Sequence, residues 1–228
     1  MIDLLPAALL FVGTHLGISS TSLRPMLIGV LGERGYLVFY SLVSVVTLGY
    51  LIWLYNNLPR YEYLWLPSPE LHTFARIVMP FALFLAAGAF LVRNPTAVGS
   101  DALLLEGNAA ALARGVTRIT RHPFQWGVML WATAHVAANG DYQSVVFFST
   151  FGVLAALGTV LLDRRKAASA GDGWREYAAV TSNVPFAAIL SRRNRLVLKE
   201  LALPAAVALV LYVALTFGHP WVSGVRIV

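Results

Sequence analysis

Residues 118–141 read RITRHPFQWGVMLWATAHVAANGD and contain the clearest helix and the most informative histidines of the chain. Pro123 at the first turn and the Asn-Gly-Asp run at 139–141 predict where this helix begins and ends. His122 and His135 stand at the two ends of its apolar run. An ionisable residue inside a membrane helix is costly and indicates a functional site, and histidine often holds haem or metal. We therefore expect function to depend on this helix.

The composition indicates an integral membrane protein. Of the 228 residues, 58% are hydrophobic and 12% are charged, whereas a soluble domain carries about 25% charged residues. The chain has no cysteine, which excludes disulfides, thiolate nucleophiles, iron–sulfur clusters and thiolate-ligated or covalently attached haem. Any metal or cofactor must then be held by His, Met, Tyr, carboxylates or backbone groups. We expect a single transmembrane domain over residues 1–228.

Six apolar runs are long enough, or nearly so, to cross a bilayer, which takes about 20 helical residues. They are Ile2–Ser20, Tyr36–Tyr55, His72–Val92, Pro123–Ala138, Tyr142–Leu162 and Glu200–Gly218. The first run has neither the basic flank nor the cleavage site of a signal peptide, so we interpret it as a retained helix. The predicted fold class is all-α, a polytopic membrane helix bundle with about six transmembrane helices.

The 17 Lys and Arg residues predict the orientation of these helices. The loops after the first, third and fifth runs hold 14 of them: Arg24, Arg34, Arg93, Arg114, Arg118, Arg121, Arg164, Arg165, Lys166, Arg175, Arg192, Arg193, Arg195 and Lys199. The opposite side holds three, Arg60, Arg76 and Arg226. The positive-inside rule then places both termini outside the cytoplasm. The net charge of +6 therefore reflects topology and anionic lipid headgroups, and no nucleic-acid partner is expected.

Two histidines fall inside the predicted spans, His15 in the first and His135 in the fourth. Imidazoles from two helices that face each other can hold a b-type haem, so this pair is the candidate metal-ligand set. Upright helices would leave the two side chains about 10 Å apart in depth, a gap that helix tilts of about 20° would reduce. His72 or His219 is the alternative second ligand. Each imidazole can instead be a neutral side chain that hydrogen-bonds to a neighbouring helix.

The basic residues before the fourth helix indicate a second site. Arg118, Arg121 and His122 lie at a helix N-terminus, where backbone N–H groups and the helix dipole favour an anion. Such an anion could be a haem propionate, a lipid phosphate or a cofactor carboxylate. The alternative is the ordinary basic flank of a membrane helix. These three residues are the candidate cofactor-binding set.

The motif around His122 resembles two groups of membrane proteins. Arg121-His122-Pro123 with Gly127 is similar to a turn of phospholipid and isoprenylcysteine methyltransferases that helps to bind S-adenosylmethionine. A longer pattern resembles the NnrU family, which is related to the plant zeta-carotene isomerase. It comprises Arg118-Ile119-Thr120-Arg121-His122-Pro123, Leu130-Trp131-Ala132, Ala134-His135, Asn139-Gly140-Asp141, His15 with Ser19, Ser20, Leu23 and Arg24, Gly32-Glu33-Arg34, Tyr36, Trp174, Tyr177, Thr181-Ser182, Val184-Pro185-Phe186, Ala188 and Phe217–Pro220.

The NnrU resemblance implies a six-helix membrane protein. In the isomerase branch it implies a b-type haem held by histidines that correspond to His15 and His135. NnrU proteins are associated with nitrite and nitric-oxide metabolism in denitrifying bacteria, which implies a bacterial inner membrane. The plant isomerases place a cysteine near Ala132, and this chain has none. Thiol-dependent redox switching is therefore excluded here.

Three functions remain open from the sequence. The first is a b-haem membrane protein with Arg118 or Arg121 as a propionate partner, which isomerises a polyene or has a nitric-oxide-linked redox role. Its partners would be membrane lipids and a hydrophobic small molecule or a nitric-oxide-related ligand. The second is a methyltransferase that binds S-adenosylmethionine at the cytoplasmic face between Arg121, His122, Asp163 and Glu176. The third is a non-enzymatic subunit that handles haem or copper.

Overall fold

The protein is built from α-helices. This computed structural model describes residues 3–97 and 99–225. In chain order the α-helices are α1 (Leu5–Ser20), α2 (Leu23–Asn57), α3 (Pro69–Gly88), α4 (Pro123–Asn139), α5 (Tyr142–Val180), α6 (Ala187–Leu190) and α7 (Ala202–Ser223). Short 3-10 helices lie at Asp101–Leu105, Ala109–Leu112, Gly115–Arg118 and Leu198–Leu201. Within the described residues, β pairing is limited to one isolated bridge between Tyr63 and Asp141, so the predicted all-α class is confirmed.

The helices have the length and surface of membrane-spanning segments. Among the described residues, four are long and apolar enough to cross a bilayer: α2, α3, α5 and Leu198–Trp221, which includes most of α7. Helices α1 and α4 are shorter, with 16 and 17 residues. Large apolar side chains such as Leu9, Val45 and Val210 are more than 60% exposed, as expected where lipid covers them.

The chain is therefore a polytopic helical membrane protein, and each of the six predicted apolar runs overlaps one of its helices. The third run was predicted to reach Val92, but its helix ends at Gly88. The number of spans and the position of the termini outside the cytoplasm stay predictions. Ile2, where the first predicted run begins, and Arg226, one of the three cations on the opposite side, lie outside the described residues.

Two long helices contain a glycine that changes the direction of the chain. Gly32 in α2 has φ 70° and Gly171 in α5 has φ 50°, a conformation that costs glycine little because it has no Cβ. Helix α5 continues past the predicted end of its apolar run at Leu162 and reaches Val180. The charged residues that follow Leu162 end the apolar segment but not the helix.

Helix α4 has the ends that its sequence predicts. It begins at Pro123 and ends at Asn139, and Gly140 follows with φ 74°. A Cβ on Gly140 would lie 2.1 Å from the Trp65 carbonyl oxygen, so only glycine fits this turn. The Gly140 carbonyl accepts a hydrogen bond from the Leu64 N–H at 2.9 Å.

The chain forms two compact units. The first contains Met1–Ala75 and Ala132–Leu161, and the second contains Arg76–Trp131 and Leu162–Val228. In the first unit α1 packs against α2, and its buried side chains include Leu4, Phe11, Tyr36, Leu51 and Phe147. The second unit buries two groups, Leu85 with Val116 and Ile119, and Leu104 with Ala109, Ala113, Trp174 and Tyr177. The single domain over residues 1–228 stays a prediction.

Candidate functional site

His15 lies on α1 in the first unit and contacts two hydroxyl groups of α2. The Tyr40 hydroxyl is 2.8 Å from its Nε2, and the Ser44 hydroxyl is 3.4 Å from its Nδ1. Tyr40 and Ser44 are one helical turn apart and so share a face of α2. Both ring nitrogens of His15 therefore have a hydrogen-bond partner within the protein.

His135 lies on α4 in the same unit and stacks on an aromatic ring of α5. Its imidazole centroid is 4.6 Å from the Phe148 ring, with an interplanar angle of 30°. Its backbone carbonyl accepts a hydrogen bond from the Asn139 side chain at 2.7 Å, one turn further along the helix. Asn139 and His135 are four residues apart and therefore share a face of α4.

Four phenylalanines connect the two histidines. Phe11 is 5.5 Å from His15 and 5.9 Å from Phe151 between ring centroids. Phe151 and Phe148 each lie 5.2 Å from Phe147, and Phe148 stacks on His135. We call Phe11, Phe147, Phe148 and Phe151 the aromatic cluster. The histidines proposed as a ligand pair thus contact one continuous set of rings in the first unit.

The donor groups of His15 and His135 suit haem better than a bare metal ion. Within residues 3–97 and 99–225, no three His, Asp or Glu side chains are grouped so that they could hold a metal ion. A haem needs at most two protein ligands, because its porphyrin supplies four nitrogens, and imidazole is a common axial ligand. The pair therefore fits haem in its chemistry, provided that His15 releases the hydrogen bond on whichever nitrogen binds iron.

In the second unit, Arg121 and His122 both bind the carboxylate of Asp163 on α5. The His122 Nε2 lies 2.5 Å from Asp163 Oδ1. The Arg121 guanidinium donates from Nη2 to Oδ2 at 2.8 Å and from Nε to both oxygens at 3.1 Å. The same guanidinium lies over the Trp174 ring, 5.4 Å from its centroid. These contacts attach the start of α4 to α5.

His122 is fully buried. Burial lowers the pKa of His122, and the positive charges of Arg121 and Lys166 lower it further, while the bond to Asp163 opposes this shift. The Nδ1 atom of His122 is buried without a hydrogen-bond partner among the described residues. A neutral ring that donates its Nε2–H to Asp163 and leaves a lone pair on Nδ1 is consistent with these contacts.

Arg118 makes a similar attachment to the 3-10 helix that precedes α7. It donates to Glu200 from Nε at 2.8 Å and from Nη2 at 3.1 Å, and from Nη1 to the Asn194 side chain at 2.8 Å. Glu200 also accepts the Gly115 backbone N–H at 2.6 Å. The three predicted cofactor-binding residues, Arg118, Arg121 and His122, thus already bind carboxylates of this chain. Their role toward a cofactor stays a prediction.

The remaining histidines, His72 and His219, lie near the ends of α3 and α7. The His72 Nε2 is 3.2 Å from the Ala138 carbonyl oxygen, within the first unit. The His219 Nδ1 is 2.9 Å from the Val225 carbonyl oxygen and 2.8 Å from the Ser223 hydroxyl, within the second. Their use as an alternative second haem ligand is untested.

Several residues of these sites were not expected from the sequence. Tyr40 is not among the predicted site residues, yet its hydroxyl contacts His15. Lys166 is a fully buried lysine, although the sequence placed it in an exposed charged loop. Its spacing of three residues from Asp163 puts both on one face of α5, which is the signal that could have revealed it.

Comparison with curated proteins finds plant enzymes similar to this chain. The 15-cis-zeta-carotene isomerase, chloroplastic, of Arabidopsis thaliana is 28% identical over 235 residues, which cover 98% of this chain and 61% of the plant protein. The protein of the same name from Zea mays is 30% identical over 229 residues, covering 93% and 58%. This chain therefore spans about three fifths of the length of these relatives.

No solved structure matches the chain significantly. The family profile described as NnrU protein matches residues 3–227, which is nearly the whole sequence and includes both histidine sites. The predicted resemblance is thereby confirmed, and the chain belongs to the NnrU family.

Proposed function

We propose that this protein is a membrane isomerase that acts on a long, apolar polyene. The observation that carries the proposal is the similarity to two 15-cis-zeta-carotene isomerases over 98% and 93% of the chain. A polyene partitions into the bilayer, and helices with exposed apolar side chains give it access to a site within the membrane.

The aromatic cluster supports this substrate class. Its rings are 5.2 to 5.9 Å apart between neighbouring centroids, within the range of favourable aromatic contacts. Flat apolar rings bind a conjugated chain through dispersion forces, which are individually weak but additive along its length. We infer that the cluster positions the polyene beside His15 and His135.

We assign a b-type haem to the same unit, where His15 and His135 would hold its iron. The support is the chemistry of the two imidazoles and the family likeness. A bound haem would supply an iron centre that can exchange electron density with the polyene. Phe148 orients the His135 ring by stacking, and the Ser44 hydroxyl lies beside the Nδ1 atom of His15.

The haem assignment is tested by absorbance spectroscopy. The full chain, purified in detergent, should bind haem and give the Soret band of a six-coordinate, low-spin iron. His15→Ala and His135→Ala should each shift or remove this band, whereas the control variants His72→Ala and His219→Ala should retain it. A band that neither of the first two variants changes would refute the ligand pair.

The isomerase assignment needs its own assay. Vesicles that contain the protein and 15-cis-zeta-carotene should convert the polyene to another geometric isomer, as separated by chromatography. Phe148→Leu should slow this conversion while the protein still binds haem, because it replaces one ring of the aromatic cluster with an apolar side chain that has no ring. No conversion by the haem-loaded wild-type protein would refute the isomerase.

Two other predictions keep their own tests. A nitric-oxide-linked redox role would change the absorbance spectrum of the reduced protein when nitric oxide is added. The methyltransferase alternative needs four residues to surround S-adenosylmethionine. Of these, Arg121, His122 and Asp163 do lie together, but they bind one another. The fourth, Glu176, accepts the Ala109 N–H at 3.1 Å. If calorimetry detects no heat of binding at millimolar concentrations of S-adenosylmethionine, the methyltransferase alternative is excluded.

The membrane in which the protein resides is a separate question. The relatives' names place them in the chloroplast, so the expected bacterial inner membrane draws no support from them. Lipid contact follows from the exposed apolar helices.

A further inference from the structure

Tyr40 contacts the ring nitrogen of His15 that is best placed to bind a metal. The two ring nitrogens differ in their surroundings, since Nδ1 is adjacent to Cβ and to the backbone of α1. A planar ligand as wide as a porphyrin would collide with the helix if it approached Nδ1. Nε2 is at the far end of the ring, and there the Tyr40 hydroxyl lies at 2.8 Å.

The hydrogen bond and a metal bond at Nε2 exclude each other. A neutral imidazole has one N–H and one lone pair. If Tyr40 donates to the lone pair of Nε2, then the proton is on Nδ1, where Ser44 can accept it at 3.4 Å. A metal at Nε2 needs that same lone pair, so Tyr40 must withdraw, while the contact with Ser44 can remain.

The position of Tyr40 is fixed by its own helix. Its ring stacks on Tyr36 with centroids 6.0 Å apart and an interplanar angle of 11°. Tyr36 is buried, and the Arg24 guanidinium lies 5.5 Å from its ring centroid. The phenol therefore lies beside His15 through packing along α2 as well as through its own contact with the imidazole, whose ring centroid is 5.2 Å away.

We propose that Tyr40 restricts the access of metal to His15, so that haem binding must displace the tyrosine hydroxyl from Nε2. The part of this inference that concerns haem rests on the proposed function, in which His15 holds the haem iron. Tyr40 is thus a positioning residue that makes the imidazole less available. When no haem is bound, the Tyr40 hydroxyl also gives the partly buried Nε2 of His15 a hydrogen-bond partner.

The first experiment measures the availability of Nε2 without haem. The haem-free full chain in detergent is treated with diethyl pyrocarbonate, which reacts with unprotonated, accessible imidazole nitrogens, and modification of His15 is followed by mass spectrometry. Tyr40→Phe should raise the rate about five-fold, the factor that corresponds to one typical net hydrogen bond of about 1 kcal/mol. Tyr50→Phe, on the same helix, is the matched control and should leave the rate unchanged. Equal rates in the wild type and Tyr40→Phe would overturn the inference.

The second experiment adds haem. Tyr40→Phe should bind haem about five-fold more tightly than the wild type and should shift its reduction potential, while Tyr50→Phe should do neither. Weaker binding by Tyr40→Phe would overturn the inference, because Tyr40 would then support the ligand. If His15→Ala keeps the wild-type spectrum, the proposed ligand fails, and the modification rates alone decide the role of Tyr40.

Discussion

Asp163 offers the clearest test of how the second unit is held together. Its carboxylate accepts hydrogen bonds from Arg121 and from His122, and the exposed fractions of these three side chains are 21%, 15% and 0%. Asp163→Ala would leave a mostly buried guanidinium without its anion and a buried Nε2–H without an acceptor. Breaking a buried ion pair costs about 3–5 kcal/mol, and we expect about 3 kcal/mol here, since partial exposure lets water replace some of the loss.

The matched control lies on the same helix. Asp172 pairs with Arg175, but these side chains are 82% and 77% exposed, so Asp172→Ala should cost less than about 1 kcal/mol. Unfolding in mixed micelles, followed by tryptophan fluorescence, gives the free energy of unfolding of both variants. Asp163→Asn should fall between them, because it keeps an acceptor oxygen but loses the charge. Equal losses for Asp163→Ala and Asp172→Ala would refute the reasoning.

Three further predictions follow from other contacts and from the composition. Gly127→Ala should destabilise the protein by about 1–3 kcal/mol, because a Cβ there would lie 2.7 Å from the Ala82 carbonyl oxygen, whereas Gly158→Ala, with nothing within 4 Å, should be neutral in the same unfolding assay. Acidification should lower the free energy of unfolding. Burial places the pKa of folded His122 below its usual 6.5, so the unfolded chain binds more protons than the folded chain. The free energy of unfolding should therefore begin to fall below about pH 6.5. His122→Gln should flatten this dependence, and an unchanged slope would contradict it. Thiol-alkylating reagents should leave the proposed isomerase activity, measured by chromatography, intact because the chain has no cysteine; inhibition would show that the conversion depends on a thiol of another protein in the preparation.

Local sequence signals predicted where the helices lie better than how far each helix extends. The ends of α4 follow from Pro123 and from the Asn-Gly-Asp run, because both act through backbone geometry within one turn. The extension of α5 to Val180 was not expected, since hydropathy reports where a helix leaves the membrane and not where its hydrogen bonding stops. The break at Gly171 was equally hidden, because a glycine permits a positive φ but does not require one.

The contacts of the candidate sites depend on residues far apart in the chain. Arg121 and Asp163 are 42 positions apart, and Phe11 meets Phe151 from the opposite end of the first unit's sequence. Composition and periodicity describe one helix at a time, so they identified His15, His135 and Arg121 as unusual without identifying their partners. The predicted spans and the family resemblance both pointed to His15 and His135 as a pair, but the Tyr40 contact is visible only in three dimensions.

The two histidine sites differ in a way that bears on function. Around His122 the Asp163 carboxylate is already bound by Arg121 and by His122, and these contacts of the Arg-His-Pro motif attach the start of α4 to α5. Around His15 the described contacts are hydroxyl groups and aromatic rings, which are weaker partners that a metal can replace. A buried ion pair resists the entry of a ligand because removing one partner leaves the other charge uncompensated. A hydrogen-bonded imidazole beside aromatic rings can exchange its partner at the cost of a single hydrogen bond. The first unit is therefore the place where we expect a flat cofactor and an apolar substrate to bind.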